Sequence, residues 1–231
     1  MPSTQSRRRT SPPVAAIRRP RRAAITEPAT LPEHDLVNEA TLHELAYGDL
    51  DISRHTTDTV DVRRCTFTNV DLSGSVLEHI HFSDCSVSRC DFSNVRSARS
   101  SMRRTEVSNS RMTGWSWVDG GLEDVSFVEC RMDLCSFRFS TLKRVEFVDC
   151  RMQRADFQHA DARGARFTNC DLTAAQFSQA SLAGARFDRC MLTDIGGVAN
   201  LAGATVSRQD LIALSFTLAK ALGILIEPED S

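Results

Sequence analysis

The sequence predicts an all-β solenoid, a four-sided β-helix of nearly seven 20-residue coils, and three observations carry that prediction. First, an apolar residue recurs at every fifth position from Val62 to Leu192, through 27 consecutive positions without a slip of phase and with Ser97 alone polar. Ten of the chain's twelve Phe lie in this column. Second, the position two residues earlier holds small or compact side chains. All eight cysteines fall there, at Cys65, Cys85, Cys90, Cys130, Cys135, Cys150, Cys170 and Cys190. Third, from Leu122 onward the large residue alternates Leu or Met with Phe, and Cys90, Cys130, Cys150, Cys170 and Cys190 share one phase at a period of 20. Two inward and three outward positions in every five fit neither a helix of period 3.6 nor a strand of period 2. They fit a chain that turns a corner every five residues, with four sides to a coil and each coil contacting only its neighbours.

Taken in chain order, residues 1–30 carry seven Arg against one Glu, with Pro12, Pro13 and Pro20 and no periodicity. This segment is expected to be a disordered Arg/Pro-rich tail. It reads either as an arm for nucleic acid or another polyanion, or as a solvated tail or an upstream start. Residues 31–59 are expected to be an N-terminal cap and lead-in, with a short helix at about 38–46, because an open coil end is an exposed sheet edge. Residues 60–195 form the β-helix. Its predicted core includes Phe67, Leu72, Phe82, Phe92, Phe127, Phe137, Phe147, Phe157, Phe167, Phe177 and Phe187, with Cys150, Cys170 and Cys190 stacked beside them. At a sheet spacing of ~4.8 Å the rod is on the order of 30 Å long. Its interior is filled, leaving no ligand cavity. Between Ser97 and Gly121 the inward pairs are atypical, ending in Trp115/Trp117, and a bulged or loosened coil is expected there.

Residues 196–231 read as a C-terminal cap with a helix at about 207–222. Ser207 and Asp210 give an N-cap and an acid three residues on, and Gly223 and Pro228 mark the stop. Leu211, Leu214, Leu218 and Leu222 form one apolar stripe, flanked by Ile212 and Phe216. One surface suffices to cap the last coil, so the helix is expected to pair two copies of the chain into a homodimer; the alternative is that it folds entirely onto the coil, with Leu225 and Ile226 closing the edge.

Composition excludes several function classes. There is no apolar run of transmembrane length and no signal-peptide core, so a cytoplasmic protein is expected. The cysteines replace Ala, Val and Ser in their column and read as small hydrophobes rather than as metal ligands or disulfides. Neighbours such as Cys150 and Cys170 stack within disulfide range, but a reducing compartment disfavours the bond. The six His are scattered, and His79 and His81 flank Ile80 on outward positions with no partner in the pattern. No nucleotide-, metal- or nucleophile-binding motif is present. No catalytic residue, metal or cofactor is therefore expected. Asp at the second position of each five (Asp61, Asp71, Asp91, Asp156, Asp161, Asp171) is expected to satisfy backbone at a turn.

The segments ADFQH (155–159), ADARG (160–164), CDLTA (170–174), CDFSN (90–94) and VDLSG (70–74) resemble the A(D/N)Lxx consensus of the pentapeptide-repeat family. The tail beginning at Gly196 is similar to the C-terminal segment of actinobacterial members. The resemblance implies that the four-sided β-helix is right-handed, and that two copies pair end to end through the C-terminal region. It also supplies a second functional reading. Some members mimic the B-DNA duplex, bind DNA gyrase or topoisomerase IV, and protect against quinolones or topoisomerase poisons. The first reading is a rigid scaffold for a protein partner. Mimicry wants a carboxylate-dominated surface, whereas residues 60–195 carry 18 basic and 18 acidic residues. Arg111, Arg131 and Arg151 stack in a row, and acids gather at Asp119, Glu123, Asp124, Glu129, Glu146 and Asp149.

Overall fold

The computed structural model describes residues 16–21, 23 and 26–225. They form one continuous parallel β-solenoid of about 9 turns with a single C-terminal helix. One ladder runs its full length, through Glu27–Pro28, Leu45–Gly48, Thr66–Thr68 and Ser86–Ser88, on to Ser101–Ser108, Gly121–Val128, Thr141–Val148, Arg166–Thr168, Arg186–Asp188 and Thr205–Val206. Along it Tyr47, Phe67, Val87, Val107, Phe127, Phe147, Phe167 and Phe187 are in direct register.

The corners explain the five-residue letter code. Ser75 N–H donates to the Leu72 carbonyl at 3.3 Å, and Gly74 between them has φ 67°. That is a type II turn, which needs positive φ at its third residue. Asp71 accepts from the Ser73 N–H at 2.8 Å, as Asp91 does from Ser93 at 2.8 Å and Asp171 from Thr173 at 3.0 Å. Asp156 and Asp161 close their turns in the same way, accepting from the Gln158 and Arg163 N–H groups at 2.9 and 3.3 Å, whereas Asp61 lies within the strand Thr56–Arg63 and accepts from Arg63 Nε at 2.9 Å instead.

Inside, like residues stack on like. Phe127, Phe147, Phe167 and Phe187 lie parallel with ring centroids 5.1, 5.0 and 4.9 Å apart. Phe137, Phe157 and Phe177 form a second stack at 5.1 Å, edge-on to the first. The earlier core residues Phe67, Leu72, Phe82 and Phe92 are also buried.

Two expectations need correction. The solenoid has about 9 turns rather than nearly seven. Thr57 is polar and hides the phase, but Ile52, Tyr47 and Leu42 continue it and are buried. Residues 41–59 therefore belong to the coils, in strands Thr41–His43, Leu45–Gly48 and the start of Thr56–Arg63, and no helix occupies 38–46. The open edge is covered by the turn before them. Leu36 is buried and the Tyr47 hydroxyl donates to the His34 carbonyl at 2.8 Å.

The second correction concerns the middle. Val76, Arg96 and Ser116 stay in register, so the coil is neither bulged nor slipped. Volume is exchanged between rungs instead. Trp117 lies over Ser97, and Gly120 makes room for the indole: a Cβ there would lie 2.5 Å from Trp117 Nε1 and 2.8 Å from the Ser100 carbonyl oxygen. Trp115 packs on Trp117, Phe127 and Phe137 at 5.3, 5.9 and 5.6 Å. The void left beside them is about 10 Å³, at or below the ~10–15 Å³ one water needs.

All eight cysteines are buried and free. The thiols other than that of Cys135 point at backbone carbonyls; Cys150 Sγ lies 3.5 Å from the Phe127 oxygen and Cys170 and Cys190 each 3.4 Å from theirs. Burial pushes the Cys85 thiol up to about 12 and raises Cys65, Cys90 and Cys135. Burial shuts all eight thiols away from reagent, and that keeps them inert. Titration of the native protein is accordingly expected to find few reactive thiols, and all eight after denaturation. Rapid labelling of several in the native state would contradict this packing.

Helix α1, Arg208–Ala221, closes the far end. Ser207 caps it by accepting from Asp210 N–H at 3.3 Å. Its end is a Schellman motif, with Ile224 N–H donating to Ala219 O at 2.9 Å and Gly223 at φ 72°. Leu214 and Thr217 are buried and Leu218 half-buried against the last coil, and the Asp194 N–H donates to Thr217 Oγ1 at 3.2 Å. Ile226 and Pro228 lie outside the described residues.

Candidate binding surfaces

The five-residue sides leave four polar faces, and the interior holds no space for a ligand. What the molecule can offer is therefore surface chemistry. Three features stand out from the solvated background.

The first is one corner of the coil. Its successive residues are Glu44, Arg64, Asp84, Arg104, Asp124 and Arg144, strictly alternating in sign at 20-residue spacing, all at positive φ. Arg64 pairs with Glu44 at 3.1 Å. Arg104 chelates Asp84, and Arg144 chelates Asp124 through Nε at 2.6 Å and Nη2 at 2.7 Å. Asp124 is buried at 1% exposure. The Arg144 guanidinium holds its carboxyl below the usual range, and Arg104 does the same for Asp84. The backbone N–H groups of Arg18 and Arg21 add to this, donating to Asp124 at 3.1 Å and Asp84 at 2.9 Å. Residues 16–21, part of the tail expected to be disordered, thus lie against the rod; residues 1–15, 22, 24 and 25 lie outside the described residues.

The sign of the pH dependence follows. A carboxylate with a depressed folded pKa stabilises fully above its unfolded value of ~3.9, and that contribution is lost as pH falls through the folded value. The melting temperature is expected to fall between pH 5 and pH 2. Asp124→Asn should be less stable at pH 7 and lose less over that range. An identical acid loss in variant and parent would remove Asp124 from the account.

The second feature is a pair of apolar side chains. Leu134 and Phe139 are about half exposed and occupy corner positions at φ 59° and 58°, where the other corners carry mostly polar residues. They flank one face, with Arg138 between them and 5.6 Å above the Phe139 ring. Phe139 stacks on His159 at 4.7 Å.

The third is the outer side of α1. Leu211, Ile212, Phe216 and Leu222 are 52%, 71%, 60% and 75% exposed. The stripe read from the sequence is thus divided. Leu214 and Leu218 face the coil, while Leu211 and Leu222 join Ile212 and Phe216 in solvent; Leu225, expected to close the edge, is exposed.

Charges that looked clustered in sequence are interleaved in space. Glu123 and Asp124 lie on the rung between Arg103/Arg104 and Lys143/Arg144, and Glu123 bonds Lys143 at 2.9 Å and Arg144 at 2.7 Å. His79 pairs with Asp58 at 2.7 Å and His81 with Ser101 at 2.8 Å, on separate partners. Among the described residues no cluster of His, Cys, Asp or Glu could hold a metal ion, and no helix is long and apolar enough to cross a membrane. Charge summed over segments hides the alternating corner, which charge read at period 20 reveals; the docked tail carries no period and leaves no such signal.

A closed stack of five-residue sides around two Phe columns defines a class, the four-sided β-helix that displays faces instead of enclosing a site. The chain belongs to the pentapeptide repeat family, whose pentapeptide repeat region matches residues 60–137 and 121–196. Solved structures similar to it include trypsin-treated QnrB1, a plasmid-mediated fluoroquinolone resistance protein, at 16% identity over 82% of this chain and 99% of that one, TM-score 0.29. HetL, a pentapeptide repeat protein involved in heterocyst differentiation regulation from the cyanobacterium Nostoc sp. strain PCC 7120, is 17% identical over 72% of this chain and 89% of that one, TM-score 0.27. No curated protein matches the chain.

Proposed function

We propose that the protein is a non-enzymatic interaction scaffold, a rigid rod that pairs with a second copy through α1 and offers its sides to a protein partner. The observation that supports this reading is where the exposed apolar side chains lie. Leu211, Ile212, Phe216 and Leu222 crowd one side of α1, and Leu134 and Phe139 bracket one face. Neither group serves the core. Each fully buried Leu, Ile or Phe contributes roughly 1.5–3 kcal/mol, and a two-fold contact uses every residue twice. An aromatic beside an Arg is the composition of an interface anchor. Eight unpaired thiols accord with a reducing, cytoplasmic setting.

Light scattering tests the pairing. The full chain is expected to run as a dimer at tens of micromolar and Phe216→Asp as a monomer; two monomers would leave α1 as a lid only. DNA mimicry directed at gyrase is the second reading, favoured by the acidic stretch Asp51, Asp71 and Asp91 on one face. It ranks second because that row continues as Arg111, Arg131 and Arg151, and a phosphate-like row needs one sign. Inhibition of gyrase supercoiling is expected to be weak or absent. Submicromolar inhibition would reverse the order of the two readings.

A further inference from the structure

The tail meets the alternating corner with a regular spacing. The amides of Arg18 and Arg21, three residues apart, donate to Asp124 and Asp84, two coils apart. Three residues of polyproline II advance ~9.3 Å, and two coils rise ~9.6 Å, so the two periods match. Ile17, Pro20 and Ala23 are half-buried while Arg18, Arg19 and Arg21 are exposed, the three-residue alternation that a polyproline II segment on a surface requires. Pro20 falls between the two donating amides, where its missing N–H costs nothing. The Arg19 guanidinium pairs with Glu106, on the rung between. On the side of the corner where Arg19 meets Glu106, the residues on the rungs above and below that Glu are the short Ser86 and Ser126, so a backbone can approach. Arg104 and Arg144 fix the two carboxylates, leaving the same Oδ1 of each to accept from the tail as well.

We propose that this corner is a peptide track for an extended, Arg-rich polyproline II segment, and that residues 16–21 of the same chain are its resident ligand. The alternation of sign has a purpose in this arrangement. Every second rung supplies an acceptor, and the Arg between holds each acceptor ionised and in place. The class of partner that fits the vacated track is a segment of the same chemistry, Pro-containing and rich in Arg. The proposal is independent of pairing through α1, whose failure light scattering reads separately.

Limited trypsin digestion of the full chain tests it, with a synthetic peptide of residues 14–25 as reference. Cleavage after Arg18 and Arg21 is expected to be about tenfold or more slower in the protein than in the peptide, because cutting tracks the population of the open form. Ile17→Asp with Pro20→Gly should abolish that protection while leaving the solenoid folded, with an unchanged far-UV spectrum and a melting temperature lowered only by the lost docking, since neither residue belongs to the solenoid core. The same peptide, fluorescently labelled, should bind this double variant and not the parent, and bind less well when Asp84→Asn is added. Equal cleavage in parent and peptide, or no binding to the variant, overturns the track. Protection that fades on dilution would place the tail on a second copy and overturn the assignment within one chain.

Discussion

Phe147→Ala is expected to destabilise the protein by about 3–5 kcal/mol, the range for a buried aromatic. Phe147 is fully buried, stacked between Phe127 and Phe167 at 5.1 and 5.0 Å and edge-on to Phe137 at 5.8 Å. Its removal forfeits apolar burial and two stacked contacts, each about 0.5–1.5 kcal/mol beyond area. The gap cannot close, because the coils above and below are fixed by ladder hydrogen bonds on every side. Arg131→Ala, on an outward position, is expected to change stability by less than about 0.5 kcal/mol. Denaturant unfolding of the two variants reads the difference; equal costs would mean that inside and outside are exchanged.

Gly197→Ala is expected to cost about 2–5 kcal/mol, and the cause lies in backbone rather than side chains. Gly197 has φ 72°, and a Cβ there would lie 2.3 Å from Ser178 N and 2.6 Å from Phe177 C. Those atoms cannot retreat, since the Phe177 N–H donates to the Gly196 carbonyl at 3.0 Å. Left-handed backbone costs an Ala roughly 1–2 kcal/mol, and overpacking adds roughly 1–3. Gly164 is the control. It shares φ 72° but a Cβ there meets nothing within 4 Å, so Gly164→Ala should show the conformational cost alone. A Gly197→Ala loss no larger than that of Gly164→Ala would mean that the last coil is seated less closely on the coil before it than described.

The sequence made the coil legible because its code is local and repeated. Phe at one inward position, Ala or Cys at the other, and Asp at the turn each report a single environment, and repetition removes ambiguity. Reading failed where one rung departs from its letter. Thr57 is buried in an apolar column and concealed the coils before it. Trp115 and Trp117 suggest a loosened coil, yet Ser97 on the neighbouring rung and Gly120 on the same rung make room for the Trp117 indole, a relation visible only at a separation of 20 residues or in three dimensions. The apolar residues of α1 divide between coil and solvent elsewhere than the sequence stripe suggests, with Leu214 toward the coil and Leu211 and Leu222 exposed, since a helical period does not say which side meets the coil. The alternating corner was present in the sequence from Glu44 to Arg144, but its meaning depended on the tail that lies against it, which no periodicity announced.

Residue-resolved amide hydrogen exchange on the native protein tests the continuous stack most directly. The account predicts unbroken strong protection along the ladder positions from Thr41 to Val206, including Thr41–His43 and Leu45–Gly48 at the start and Arg96–Ala98 and Ser116–Val118 in the middle. Protection that begins only near residue 60, or a rapidly exchanging gap across 96–118, would contradict it.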